Sequence, residues 1–229
     1  MMRSHKLIYC LMFFICTSFI ISSEDILPAW VNSIRERQGL SMLSEDHLLT
    51  RTAMNYCKEL NTFGRLSHKD QYGNNALERY RRIKGTAVSV GEILGAGNNE
   101  EKILLSWMES QSHRDVILHK DWTHYGMGIY AAQDWEIIVM LFARNLVPDL
   151  VIVKTSSGIE ISGHIVISGI SQVIIKDNTR IIQPDSYNRD EGFFQFILSP
   201  EKITPCLKLG YLNKIQFFII TNVIYPFKY

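Results

Sequence analysis

The side chains able to do chemistry in this chain are concentrated before residue 147. Six of the seven histidines lie there, His164 being the exception, and so do Trp30, Trp107, Trp122 and Trp135. Histidine changes charge near neutral pH, so it can serve as acid, base or metal ligand. Taken singly, each candidate also has an ordinary structural role. His68 precedes the turn-like run Lys69-Asp70-Gln71-Tyr72-Gly73 and reads as a surface histidine. His113-Arg114, near a helix end, suits the helix dipole. Glu92 after Gly91 reads as a helix cap or a solvated loop acid. The sequence holds no Gly-x-Ser-x-Gly, no His-Glu-x-x-His and no catalytic-cysteine context. Ser110 lies near His113, but that spacing does not make a triad.

The elements that must position these groups change type along the chain. Pro28 to Arg37 is predicted to be a helix, with Trp30, Val31 and Ile34 at helical spacing. Ser44 is the expected cap of a second helix, whose apolar face is Leu48, Leu49, Ala53, Tyr56 and Leu60. Shorter helices are predicted over Asn75–Ile83 and Glu100–Ser110, with Trp107 in the core. Strands are predicted over Tyr125–Ala131 and Trp135–Arg144. After Val147-Pro148-Asp149 come short Ile, Val and Phe runs separated by Gly, Asn, Asp and Pro. These indicate antiparallel strands and a small β-sandwich over 150–229.

The first 23 residues combine Arg3 and Lys6, the apolar run Leu7–Ser22 and then Ser23, the pattern of a secretory signal. An uncleaved signal-anchor and lipidation of Cys16 are the alternatives. Without Arg3 and Lys6 the chain has 22 basic against 23 acidic residues, a net of −1. That balance gives no electrostatic case for nucleic acid, and a membrane is reached only through an uncleaved signal or lipid anchor. The run Arg79-Tyr80-Arg81-Arg82 with Lys84 is accordingly read as a solvated helix face. Cys57 and Cys206 are either a disulfide or two separate thiols.

Five segments in order carry a resemblance. They are Val31-Asn32 with Arg35 and Gly39-Leu40; Leu66-Ser67-His68; Gly91-Glu92 to Gly97; Ser106-Trp107-Met108 through His113-Arg114 to Leu118; and Trp122 to Gly128. Together they resemble the CAP superfamily, also called SCP-like, in its bacterial form. The resemblance covers roughly residues 28 to 145. It implies an α+β fold: a three-layer α-β-α CAP sandwich over 26–146, followed here by a small all-β, Ig-like domain. It also implies a groove in which His68, Glu92 and His113 meet, with Glu109 a further member.

Two neutral imidazoles and a carboxylate can hold zinc or another divalent metal, with His68 and His113 as the implied ligands. Without metal they can form a hydrogen-bonded cluster. Ile93, Gln111-Ser112 and Val116 stand where the family has Asn, Pro-Gly and Asn. The expected function is that of a secreted or cell-envelope binding module, more a binder than an enzyme, for a small ligand, lipid or peptide. A metal-assisted hydrolase and a structural or adhesive surface protein are the alternatives.

Overall fold

The structure is a computed structural model describing residues 23–132, 135–166, 170, 172–177, 179–212 and 218–224. The expected signal, its cleavage and lipidation of Cys16 fall outside the described residues, apart from Ser23. The first half contains α1 (Ser23–Arg37), β1 (Ser44–Glu45), α2 (His47–Phe63), α3 (Ala76–Arg82) and β2 (Val90–Gly97). Then follow α4 (Glu100–Glu109), α5 (Gln111–Ile117), β3 (His124–Ala131) and β4 (Glu136–Ala143). The sheet runs in the order β1-β3-β4-β2; β1 is parallel to β3 and the other pairs are antiparallel.

The central strand explains the layering. Side chains alternate across a strand. Ile137, Val139, Leu141 and Ala143 of β4 enter a core with Leu49, Ala53, Tyr56 and Leu60 of α2 and Tyr80 of α3. Ile138, Met140 and Phe142 enter a second core with Leu27 and Val31 of α1, Leu104 and Trp107 of α4 and Ile117 of α5. Apolar residues on both faces demand a helix layer on each side. This is the α-β-α arrangement, and Trp107 is in its core as expected, donating its indole N–H to Leu94 O at 2.9 Å.

Helix α2 begins later than Ser44. Asp46 is its cap, its carboxylate accepting from the amides of Leu48 and Leu49 at 2.8 and 3.1 Å. Ser44 and Glu45 pair instead with His124 and Tyr125 as β1, and a residue held in a ladder does not cap. Arg35 is fully buried at the end of α1. It donates to the carbonyls of Ser41, Ile117 and His119 at 3.0, 2.7 and 3.0 Å, pinning α1 to the carbonyl end of α5.

The second half contains β5 (Val151–Thr155), β6 (Gly158–His164), β7 (Gln172–Lys176) and β8 (Ile181–Ile182). It continues with β9 (Ser186–Asn188), β10 (Phe193–Leu198), β11 (Leu207–Leu212) and β12 (Phe218–Ile224). They form two four-stranded sheets, β5-β6-β10-β9 and β12-β11-β7-β8. Ile159, Ile161, Phe194 and Phe196 of one share a core with Val173, Ile175, Leu207 and Leu209 of the other. The carboxyl half is therefore β-rich, with both sheets facing one interior. Cys57 and Cys206 are free. Burial pushes the Cys57 thiol up to about 12, which makes it an inert core group.

The two halves are joined by hydrogen bonds as well as by the chain. Asn145, Leu146 and Val147 are buried. Asn222 of β12, also buried, donates to Thr86 Oγ1 at 3.0 Å and to Asn145 Oδ1 at 3.3 Å. The amide of Val223 donates to Thr86 O at 2.8 Å. Asn222→Ala should cost about 1–3 kcal/mol through unpaired buried groups. It should also expose the connection to proteases. Limited proteolysis should cut between residues 145 and 150 faster in the variant than in the parent; equal rates would show that Asn222 does not hold the junction.

Candidate functional site

The site is assembled at the β2 edge of the first sheet. Val90 and Leu94 pack toward the α2 and α3 core, whereas Ile93 enters the opposite core. Strand alternation therefore turns Glu92 toward α2 and α3. This corrects the reading of Glu92 as a helix cap or loop acid, since it is the third residue of a strand paired with Leu141. It also explains Ile93, which stands where the family has a polar amide but is a fully buried core side chain.

Glu92 is gripped from two directions. His68 Nδ1 lies 2.8 Å from its Oε1, and Arg79 Nη2 donates to its Oε2. The Glu92 and Arg79 side chains are 5% and 7% exposed, while that of His68 is 62% exposed. The other Arg79 nitrogen, Nη1, donates to Asn74 O at 2.9 Å and His68 O at 3.3 Å. The guanidinium carbon sits 3.5 Å from the Tyr56 ring centre, a cation–π contact. Tyr56 in turn donates its hydroxyl to Ser67 O. Asp70 fixes the turn beyond His68, accepting from the amides of Tyr72 and Asn74 at 2.9 and 2.8 Å and pairing with Arg82 at 3.1 Å. Arg79 thus closes a frame that joins α2, α3, the His68 segment and β2.

His113, on α5, is partly buried, and its Nδ1 is buried without a partner among the described residues. Burial lowers its pKa first, and the positive charge of His68 lowers it further, so the two imidazoles share one electrostatic neighbourhood. Glu109 does not join them. It is exposed at the last residue of α4 and makes no hydrogen bond or ion pair among the described residues. The reading of Arg79 and Tyr80 as a solvated face is also corrected, since both are buried. Ala76, Arg79 and Tyr80 stand at positions i, i+3 and i+4 of one helix, the spacing that places residues on a single face. That spacing is the signal in the sequence for Arg79.

The hydrogen bond to Glu92 raises the His68 pKa, outweighing the burial that lowers it. A raised histidine contributes stability below the ordinary 6.5 and loses it as pH rises through its folded value. His113 has the opposite sign. Its pKa is depressed, so its contribution is present above 6.5 and is lost as pH falls through the folded value. Titration by NMR should find His68 above 6.5 and His113 below it. Glu92→Gln should bring His68 down, and an unmoved His68 would break the link between them.

As placed, these side chains do not fit a divalent metal. Among the described residues, no group of three or more His, Cys, Asp and Glu side chains is placed to hold one. Both Glu92 oxygens are already engaged, one by His68 and one by a cation. The carboxylate that would complete ligation by His68 and His113 is committed to Arg79.

Comparison with known proteins agrees with the fold. Residues 29–142 match the sequence profile of CAP, the cysteine-rich secretory protein family. The uncharacterized protein YkwD of Bacillus subtilis is 26% identical over 112 residues, which span 48% of this chain and 44% of YkwD. An uncharacterized protein of Borreliella burgdorferi is 23% identical over 129 residues, 55% of this chain and 83% of its own length. A solved outer surface protein from Borrelia burgdorferi shares the fold, with a TM-score of 0.51 and 22% identity, over 54% of this chain and 96% of its own. The order of helices about the β1-β3-β4-β2 sheet and the matched segment lead to one conclusion: residues 29–142 of this chain are a CAP domain of the cysteine-rich secretory protein family.

Proposed function

We propose that this is an exported or surface-associated protein whose CAP domain is a non-enzymatic binding module. The groove at His68, Glu92 and His113 would receive a small ligand, lipid or peptide. One observation carries the reading: a buried carboxylate, fixed by a buried arginine, holds an imidazole that is itself open to solvent. Such a group is preorganised to donate to or accept from a ligand at little ordering cost. The same geometry weakens the hydrolase reading with Glu92 as base, because both of its oxygens already accept from His68 or a cation, which lowers its affinity for a further proton. An outer surface protein among the structural neighbours supports placement outside the cell.

Native mass spectrometry of protein purified without refolding tests this. The expected result is a bound small molecule or peptide that is lost from His68→Ala while circular dichroism is unchanged. Parent protein without adduct, or equal retention by the variant, would remove the groove from the function. A structural or adhesive role is the second reading. Val151 and Val153 of the edge strand β5 and Ile197 of β10 are about half exposed, an apolar surface suited to another protein.

A further inference from the structure

We infer that Arg79 is the built-in cation of the groove: while it is in place it keeps divalent metal off Glu92, and its removal turns Glu92 and His68 into a metal-binding pair. The inference rests on the contacts among Arg79, Glu92 and His68 and not on the ligand-binding reading. His68 Nδ1 and Glu92 Oε1 lie 2.8 Å apart and are hydrogen-bonded to each other, so one carboxylate oxygen is already occupied by the imidazole.

The second oxygen, Oε2, faces the guanidinium. An ion arriving there would have to expel Arg79 from Glu92. Arg79 has nowhere better to go: it is 7% exposed, stacked on Tyr56 and tied to two backbone carbonyls. Expulsion would leave a buried, unpaired positive charge beside an incoming dication, both unfavourable. Arginine suits the post because it is always charged and its planar fork reaches a carboxylate and two carbonyls at once.

The arginine also explains how Glu92 is tolerated at its depth. A buried carboxylate needs a counter-charge, which a metal or a basic side chain can supply. Here the side chain comes from α3, three residues beyond Ala76 on its buried face. The frame around the carboxylate is then complete without any added ion.

Zinc titration of the whole chain above the titration range of His68 tests the inference, with thermal denaturation and the NMR signals of His68 as readouts. The parent is expected to show no zinc-dependent rise in Tm that His68→Ala removes. Arg79→Met keeps much of the side-chain volume and its packing on Tyr56. It is expected to have a lowered Tm without metal, to recover on zinc addition and to bind zinc at least about tenfold tighter than the parent. The recovery should vanish in Arg79→Met/His68→Ala. Zinc bound by the parent and lost with His68→Ala overturns the inference, whether or not Arg79→Met folds. A folded Arg79→Met with no gain in zinc affinity overturns it as well. Neither result bears on whether the groove holds an organic ligand, which the adduct measurement reads separately.

Discussion

Gly128→Val is expected to unfold the CAP domain or leave it barely stable. Helix α2 lies directly on β3, and the contact passes through two glycines. A Cβ on Gly126 would stand 2.2 Å from the backbone nitrogen of Thr50, and one on Gly128 would stand 2.4 Å from that of Met54. Those neighbours are main-chain atoms inside a helix, so no side-chain rotation relieves the overlap. The helix must lift, and Leu49, Ala53, Tyr56, Cys57 and Leu60 leave the core together. The thiol of Cys57, which donates to Gly128 O at 3.1 Å, is lost from the same contact. A cost of roughly 3 kcal/mol or more is expected, against a total stability of about 5–15 kcal/mol for a typical domain. Gly97→Ala is the control, because its new methyl meets only the Ile103 side chain, at 3.3 Å. Urea denaturation should show a much lower midpoint for Gly128→Val and a small change for Gly97→Ala. Similar midpoints for the two would mean that α2 does not rest on β3 as described.

The second large effect belongs to Glu92→Ala. It leaves Arg79 buried with its charge uncompensated and should cost about 3–5 kcal/mol. His68 loses the partner that raises its pKa, so its titration should fall in the same variant. Arg79→Met/Glu92→Leu removes both charges and replaces them with apolar volume. It should be considerably more stable than the sum of its single variants, and a double-mutant cycle would measure the coupling. Additive losses would show that the two side chains do not act as a pair.

These residues show what a sequence displays and what it hides. Helices α2 and α4 are legible because their apolar residues recur at helical spacing, and β4 because it is a long run of aliphatic residues. The order of motifs locates His68, Glu92 and His113 without showing how they are held. Strand β2 does not read as a strand because Gly91, Gly95 and Gly97 argue against one. Gly91 and Gly95 are there for packing. A Cβ at Gly91 would lie 2.8 Å from the Trp122 ring, and one at Gly95 would lie 2.3 Å from Ile103. Helix α5 is seven residues long and has a single fully buried side chain, Ile117, too little for a periodic signal. Arg79 is masked by composition: in a run of three arginines only its spacing from Ala76 and Tyr80 marks it as the one on the buried face, and nothing in the sequence names Glu92 as its partner. Glu109 stands beside Met108 in sequence, yet the helix turns it to solvent.

The bonds from Asn222 and Val223 to Thr86 also set an order of events during synthesis. Strand β12 follows every other described element in the chain, so these bonds form only after the rest has been made. Until then the CAP domain must stand on its own two cores, with Thr86 and Asn145 still facing water. Domains of a growing chain generally fold as units, the amino-terminal one first. Docking of β12 is then the closing step: the strand that completes the sheet β12-β11-β7-β8 is also the one that ties the carboxyl half to the CAP domain.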